Sequence, residues 1–144
     1  MDLNYINTLI SKAFYKEQKI MLGAYDENTV GVTTDGFVMY LIPEKAFIFD
    51  KNKLNRERVD MTRFIFPYGY ESAVRSNELI ASDKKTLAVF KNDNIEVFVD
   101  LKLLKAFDSR TSTYKIKSPT SGVLVYENDI LVGLVMPTRY NKND

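Results

Sequence analysis

Residues 95–139 constrain this chain most, because strand spacing, helical spacing and turn residues follow one another there without ambiguity. Ile95, Val97 and Val99 alternate with Glu96 and Phe98, the period-2 pattern of a strand. Asp100 stands where its carboxylate can accept from the free backbone N–H groups of a first helical turn. Leu103, Leu104 and Phe107 then share one face of a helix predicted over 100–108, with Lys102 and Lys105 pointing elsewhere. Strands are predicted at 113–117, 123–126 and 130–135. They are separated by Ser118-Pro119 and by Glu127-Asn128-Asp129, residues that fix φ or bond their own backbone.

Upstream, Leu3, Ile6, Leu9, Ile10, Ala13 and Phe14 recur at helical spacing, which predicts an amphipathic helix from residue 3 to about 17, capped by Asp2. Strands follow at 19–25, 30–33 and 37–42, with Asp35-Gly36 as a tight turn, Pro43 as a stop and 46–49 as a further short strand. Residues 50–77 read as a crossover holding a loop or short helix and then a strand into Phe64-Ile65-Phe66-Pro67-Tyr68-Gly69-Tyr70. A hairpin is predicted around Ser82-Asp83-Lys84-Lys85. The order helix-plus-strands therefore occurs twice, a repeat of pattern and not of residue identity. One domain is expected over 1–144: a first unit at 3–49, the crossover at 50–77, a second unit at 78–139 and a polar tail at 140–144.

The residue inventory narrows the chemistry. Without His the chain lacks the usual general base near neutral pH and the commonest metal ligand, and without Cys it has no thiolate or disulfide. Its six glycines are scattered and make no phosphate-cradling loop. No catalytic residue, metal site or cofactor is expected, and the chain is read as not an enzyme. No apolar run approaches the length that spans a bilayer, so no membrane is expected as a partner. The N-terminus lacks a signal-peptide pattern, and with no Cys this fits a cytoplasmic location. A net charge of +1 means that any nucleic-acid binding rests on local clusters of cations.

The βαβββ order of 95–139, the helix entered through Asp100, the Pro before the penultimate strand and the ending Val135-Met136-Pro137-Thr138-Arg139 resemble the C-terminal end of the bacterial DNA polymerase sliding clamp, the β clamp. Thr33-Thr34-Asp35-Gly36 resembles a turn of the same family. The resemblance implies an α+β, DNA-clamp-like domain of two βαβββ-type units, with two helices packed on one side of antiparallel sheet. It implies a non-catalytic tether or processivity factor in DNA replication, encoded by a phage or mobile element, which would close a ring only as a homo-oligomer. Strands 19–25 and 130–135 are the expected pairing edges between subunits.

By the same resemblance the helices would meet double-stranded DNA through Lys12, Lys16 and Lys19 and through Lys102, Lys105 and Arg110, where phosphate neutralisation needs cations but no fixed geometry. The plain alternative is a solvated helix face. Met136, Pro137 and Arg139 would border a groove for peptides of replication proteins, although Thr138 stands where the family has a second Met and Tyr140 opens a polar tail. The basic run Lys51 to Arg63 reads as a solvated loop or a DNA arm, and the aromatics 64–70 as core or as a base-stacking patch. Two further readings stand beside the tether: a clamp-like interaction module that does not encircle DNA, and a small enzyme or ligand-binding domain that borrows the architecture.

Overall fold

In the computed structural model, which describes residues 1–54 and 56–140 (of Arg56 and Glu57, the backbone), Asp2 opens the α-helix α1 (Leu3–Tyr15). Its carboxylate accepts from the Tyr5 N–H at 3.0 Å, satisfying one of the donors that a first turn leaves open. Ile6, Ile10 and Ala13 are buried on one face, while Lys12 and Lys16 are exposed. Glu17 takes a left-handed φ of 56°, and the Gln18 N–H returns to the Ala13 carbonyl, which closes the helix.

Strands β1 (Ile20–Asp26), β2 (Thr29–Thr33) and β3 (Val38–Pro43) form an antiparallel meander. The turn into β3 is held by Asp35, whose Oδ1 accepts from the N–H groups of Phe37 and Val38, and by Thr33 Oγ1, which accepts from Gly36 at its φ of +80°. After β4 (Arg56–Arg58) come β5 (Glu71–Ser82), β6 (Lys85–Lys91), β7 (Glu96–Asp100), β8 (Ser112–Ile116), β9 (Val123–Glu127) and β10 (Ile130–Val135). Among the described residues they join one ten-stranded sheet in the order β4-β1-β2-β3-β10-β9-β8-β5-β6-β7, in which β4 alone runs parallel to its neighbour. The triplets β1-β2-β3 and β10-β9-β8 are mirror images in order about the β3–β10 pair.

The long strand β5 turns the sheet. Its first residues pair with β8 and the rest with β6. Between Arg75 and Leu79 three residues oppose the single residue between Phe90 and Ala88, and a bulge of this kind bends a strand. Phe90, Val97 and Val99 from β6 and β7 thereby join Ile6, Ile10, Val32 and Val125 in one core. A smaller core of Met39, Leu41, Met61, Ile65, Leu124 and Leu134 covers the opposite sheet face. There the crossover supplies the cover. Met61 lies in a slot over Gly23 and Gly31, which face each other in the β1–β2 register.

The expected architecture of two helices on sheet is overturned: among the described residues there is one α-helix. The second segment is a four-residue 3-10 turn, Leu101–Leu104, although Asp100 does cap it by accepting from the Lys102 N–H. Only seven residues separate Asp100 from Asp108, whose own carboxylate starts a new turn by accepting from the Arg110 N–H. So short a run gains little from helical propagation, and it instead turns Leu104, Ala106 and Phe107 inward. The expected pairing edges are also internal, since β10 lies between β3 and β9, and β1 carries β4. Residues 46–49 form no strand, because the chain enters a 3-10 turn directly after Pro43. The strand expected to run into 64–70 does not form, and most of the aromatics read as core do not reach it. Ile65 is buried, and Phe64, Phe66 and Tyr68 are exposed beyond a turn that Asp60 caps. Of the expected tail 140–144, Tyr140 is described and 141–144 lie outside the described residues, as does the side chain of Arg56 in the basic run.

Candidate functional site

Two adjoining cavities lie between the N-terminal half of α1, the 101–104 turn, the β5–β6 hairpin tip and the segment that follows β10. The segment after β10 is pinned at alternate residues. The Met136 N–H donates to the Phe37 carbonyl and the Thr138 N–H to the Phe98 carbonyl, each at 2.7 Å. Pro137 falls between them, at a position where no donor is needed. Tyr140 then sets its ring edge-on to Phe98, with centroids 5.0 Å apart. An extended strap results, with Met136, Pro137 and Arg139 along one wall of a cavity of about 590 Å³.

The other walls of that cavity are apolar: Tyr5 and Leu9 from α1, Phe37 and Val38 from the turn before β3, and Leu103 from the 3-10 turn. Tyr40 also lines it, and burial pushes its phenol well above the usual range, with Tyr5 and Asp35 adding to the shift, so it stays neutral. Cations stand at the rim, Lys85, Lys102 and Arg139, against two carboxylates, Asp35 and Asp100.

The second cavity, of about 510 Å³, shares Lys85, Asp100 and Lys102 with the first and adds Arg75, Lys84 and Lys105. Asp100 is 7% exposed, and its Oδ1 is already engaged by the Lys102 N–H. Lys105 lies over the Tyr5 ring, 5.9 Å from its centroid, a cation–π contact. None of the six cations around the two cavities forms an ion pair within the described residues.

The residues singled out from sequence divide. Met136, Pro137 and Arg139 come together with Lys102, and Lys105 lies in the adjoining cavity. Lys12, Lys16 and Lys19 are exposed at or beyond the far end of α1, and line neither cavity. Arg110 is engaged elsewhere: its guanidinium grips Asp108 through Nε at 3.2 Å and a second nitrogen at 3.3 Å. Those bonds hold the Asp108 carboxyl below its usual range and raise Arg110. In the basic run, Lys51 pairs with Glu44 and Arg58 donates to Asn52.

Arg75, Lys84, Lys85, Tyr5 and Phe37 were not legible as site residues, because long-range pairing brings them in. The β6–β7 pairing ends at Leu87 and Asp100, which leaves Lys85 at the start of β6 and Lys102 in the turn after β7, and both line the two cavities. Among the described residues no group of three or more acidic side chains could hold a metal ion. No described helix is long and apolar enough to cross a membrane. The geometry offers an apolar trough with a cationic rim, suited to binding. No family model, curated protein or solved structure matches this chain.

Proposed function

We propose that this chain is a non-catalytic binding module that receives an extended peptide, apolar with acidic flanks, in the trough between the strap and α1. The observation that carries the reading is the pinned strap Met136–Arg139 facing Tyr5, Leu9, Phe37 and Leu103 under a rim of Lys85, Lys102 and Arg139. Apolar pockets fix peptide side chains, while unpaired cations select carboxylate flanks and steer their approach. The sliding-clamp resemblance of the same residues suggests a DNA replication protein as the source of that peptide.

A tether on double-stranded DNA is the competing reading. The cations expected to carry it are divided between the far end of α1 and the cavities, and Arg110 is held by Asp108. One titration separates the two. A synthetic peptide with Leu and Phe anchors flanked by Asp and Glu should shift the amides of Phe37, Leu103 and Thr138, and Arg139→Glu should weaken its binding. Unmoved amides at millimolar peptide, with shifts on adding duplex DNA instead, would replace this reading by the tether. Light scattering of the same sample gives the oligomeric state that a ring requires.

A further inference from the structure

We propose that the cavity beside the 101–104 turn binds a small polyphosphate group, as carried by a nucleoside triphosphate or present as free tripolyphosphate. The proposal goes beyond the peptide trough and does not depend on it.

The charge distribution is the first observation. A chain of net charge +1 brings five of its 20 Lys and Arg side chains, Arg75, Lys84, Lys85, Lys102 and Lys105, around one concavity of about 510 Å³. Among the described residues Asp100 is the one carboxylate there, nearly buried and with an oxygen committed to the Lys102 backbone. Secondly, the cations are imposed by the fold. Lys85 opens β6 and Lys102 lies in the 101–104 turn that follows β7, and both line the cavity. The tight turn at Asp83, with its φ of 56°, brings Lys84 to the hairpin tip beside them. Like charges gathered around one cavity repel one another, and these have no ion-pair partner among the described residues. A ligand with several negative charges in a small volume removes that repulsion. Phosphate oxygens also accept the charge-assisted hydrogen bonds that lysine and arginine offer.

Size points the same way. The cavity falls in the range of small-molecule sites, and its base, where Leu104 and Phe107 are buried, is apolar. A duplex would need cations spread along an extended surface, whereas Lys12 and Lys16 lie apart from this cluster.

Calorimetric titration of the full chain tests the proposal, with tripolyphosphate, ATP and a short single-stranded oligonucleotide as separate probes. Binding of tripolyphosphate or ATP with a rise in Tm is expected. Lys102→Glu with Lys105→Glu should weaken it by more than roughly tenfold, since each charged hydrogen bond contributes above one decade. Lys84→Glu with Lys85→Glu, on an exposed hairpin tip, should do the same if the first pair of changes disturbs folding. Lys12→Glu with Lys16→Glu should leave affinity within about twofold. Tighter binding of ATP than of tripolyphosphate would assign the site to a nucleotide, and equal binding to the phosphate chain itself. Absence of binding by both, binding of the oligonucleotide alone, or an equal loss in the Lys12 and Lys16 variant would overturn the proposal.

Discussion

Replacing either of two facing glycines should destabilise this protein by different routes, and a second substitution should tell the routes apart. Gly23 and Gly31 oppose each other across β1 and β2, under the crossover. A Cβ on Gly23 would lie 1.8 Å from the Val59 carbonyl oxygen, so the backbone of the crossover must retreat by about an ångström or more. That retreat breaks the bond from the Val59 N–H to the Leu22 carbonyl, worth about 1 kcal/mol. It also partly unseats Met61, which is fully buried and whose complete burial contributes about 1.5–3 kcal/mol. Gly23→Ala should therefore cost about 2–4 kcal/mol. At Gly31 the new Cβ meets a side chain, Met61, with Cγ at 2.7 Å and Sδ at 3.1 Å. Overpacking of this kind costs about 1–3 kcal/mol. Met61→Ala alone should cost about 2–5 kcal/mol through the cavity it leaves. Combined with Gly31→Ala it removes the clash, and the new methyl partly fills the space, so the double variant should fall short of additivity by about 1–3 kcal/mol. Combined with Gly23→Ala it relieves little, because the obstacle there is backbone. Urea unfolding of the five variants and the parent gives every term. Strict additivity of Gly31→Ala with Met61→Ala, or full rescue of Gly23→Ala by Met61→Ala, would refute the slot as the reason for these glycines.

Three further outcomes follow from the polar groups. Asp35→Ala removes the acceptor for the Phe37 and Val38 N–H groups and should cost about 1–2 kcal/mol in urea unfolding, while loosening the Phe37 wall of the trough and weakening peptide binding. The Asp108 carboxyl, followed by NMR, should titrate below its usual value of 3.8 and rise toward it in Arg110→Ala, which keeps the backbone N–H bond; what this exposed contact adds to stability is present above the unfolded value, is lost as pH falls through the folded one, and should shrink in salt. Tyr40 is raised by burial, as are Tyr25, Tyr70 and Tyr126, so their contribution is complete below about pH 10 and is lost as pH rises through the folded values. Tyrosine absorbance should therefore show residues that ionise only together with alkaline unfolding, and a full set of tyrosines titrating near pH 10 in the folded protein would contradict the packing of Tyr40.

Local chemistry was readable wherever one residue decides the backbone. Asp2 and Asp100 cap the segments they were expected to cap, and Asp35-Gly36 makes its turn, because a carboxylate two or three residues from a free N–H acts without help from the rest of the fold. Periodicity also placed α1 and most strands. What sequence spacing did not carry was competition between short-range and long-range packing. Leu103, Leu104 and Phe107 fit one helical face, yet Leu104 reaches the core from a 3-10 turn and Ala106 and Phe107 from the bend that follows it. The exposure of Phe64 and Phe66 follows from Met61 and Ile65 filling the second core, a partnership with Gly23, Gly31 and Leu124 that no local pattern announces. Met136, Pro137 and Arg139 were singled out through resemblance, while Arg75, Lys84 and Lys85 needed the β5–β6 pairing.

The groove itself comes from unequal halves of a doubled strand order. Each triplet, β1-β2-β3 and β8-β9-β10, follows a segment that begins with an aspartate cap: thirteen helical residues in the first half, four in a 3-10 turn in the second. A long segment presents the side chains Tyr5 and Leu9 as one continuous wall. The short one ends before a second wall of equal length can form, and its neighbours complete the surface instead. These are the strap leaving β10, tied to Phe37 and Phe98, and the hairpin tip carrying Lys84 and Lys85. Loss of the second helix therefore relocates the cations that sequence reading had placed on a helix face. Lys102 and Lys105 leave the side of the molecule where Lys12 and Lys16 stand and join Arg75, Lys84 and Lys85 around a cavity. A flat cationic surface favours a long polyanion held without fixed geometry, whereas a cavity ringed by cations favours a compact anion. The same lysines thus change the ligand class they suit when the element that carries them shortens from a helix to a turn.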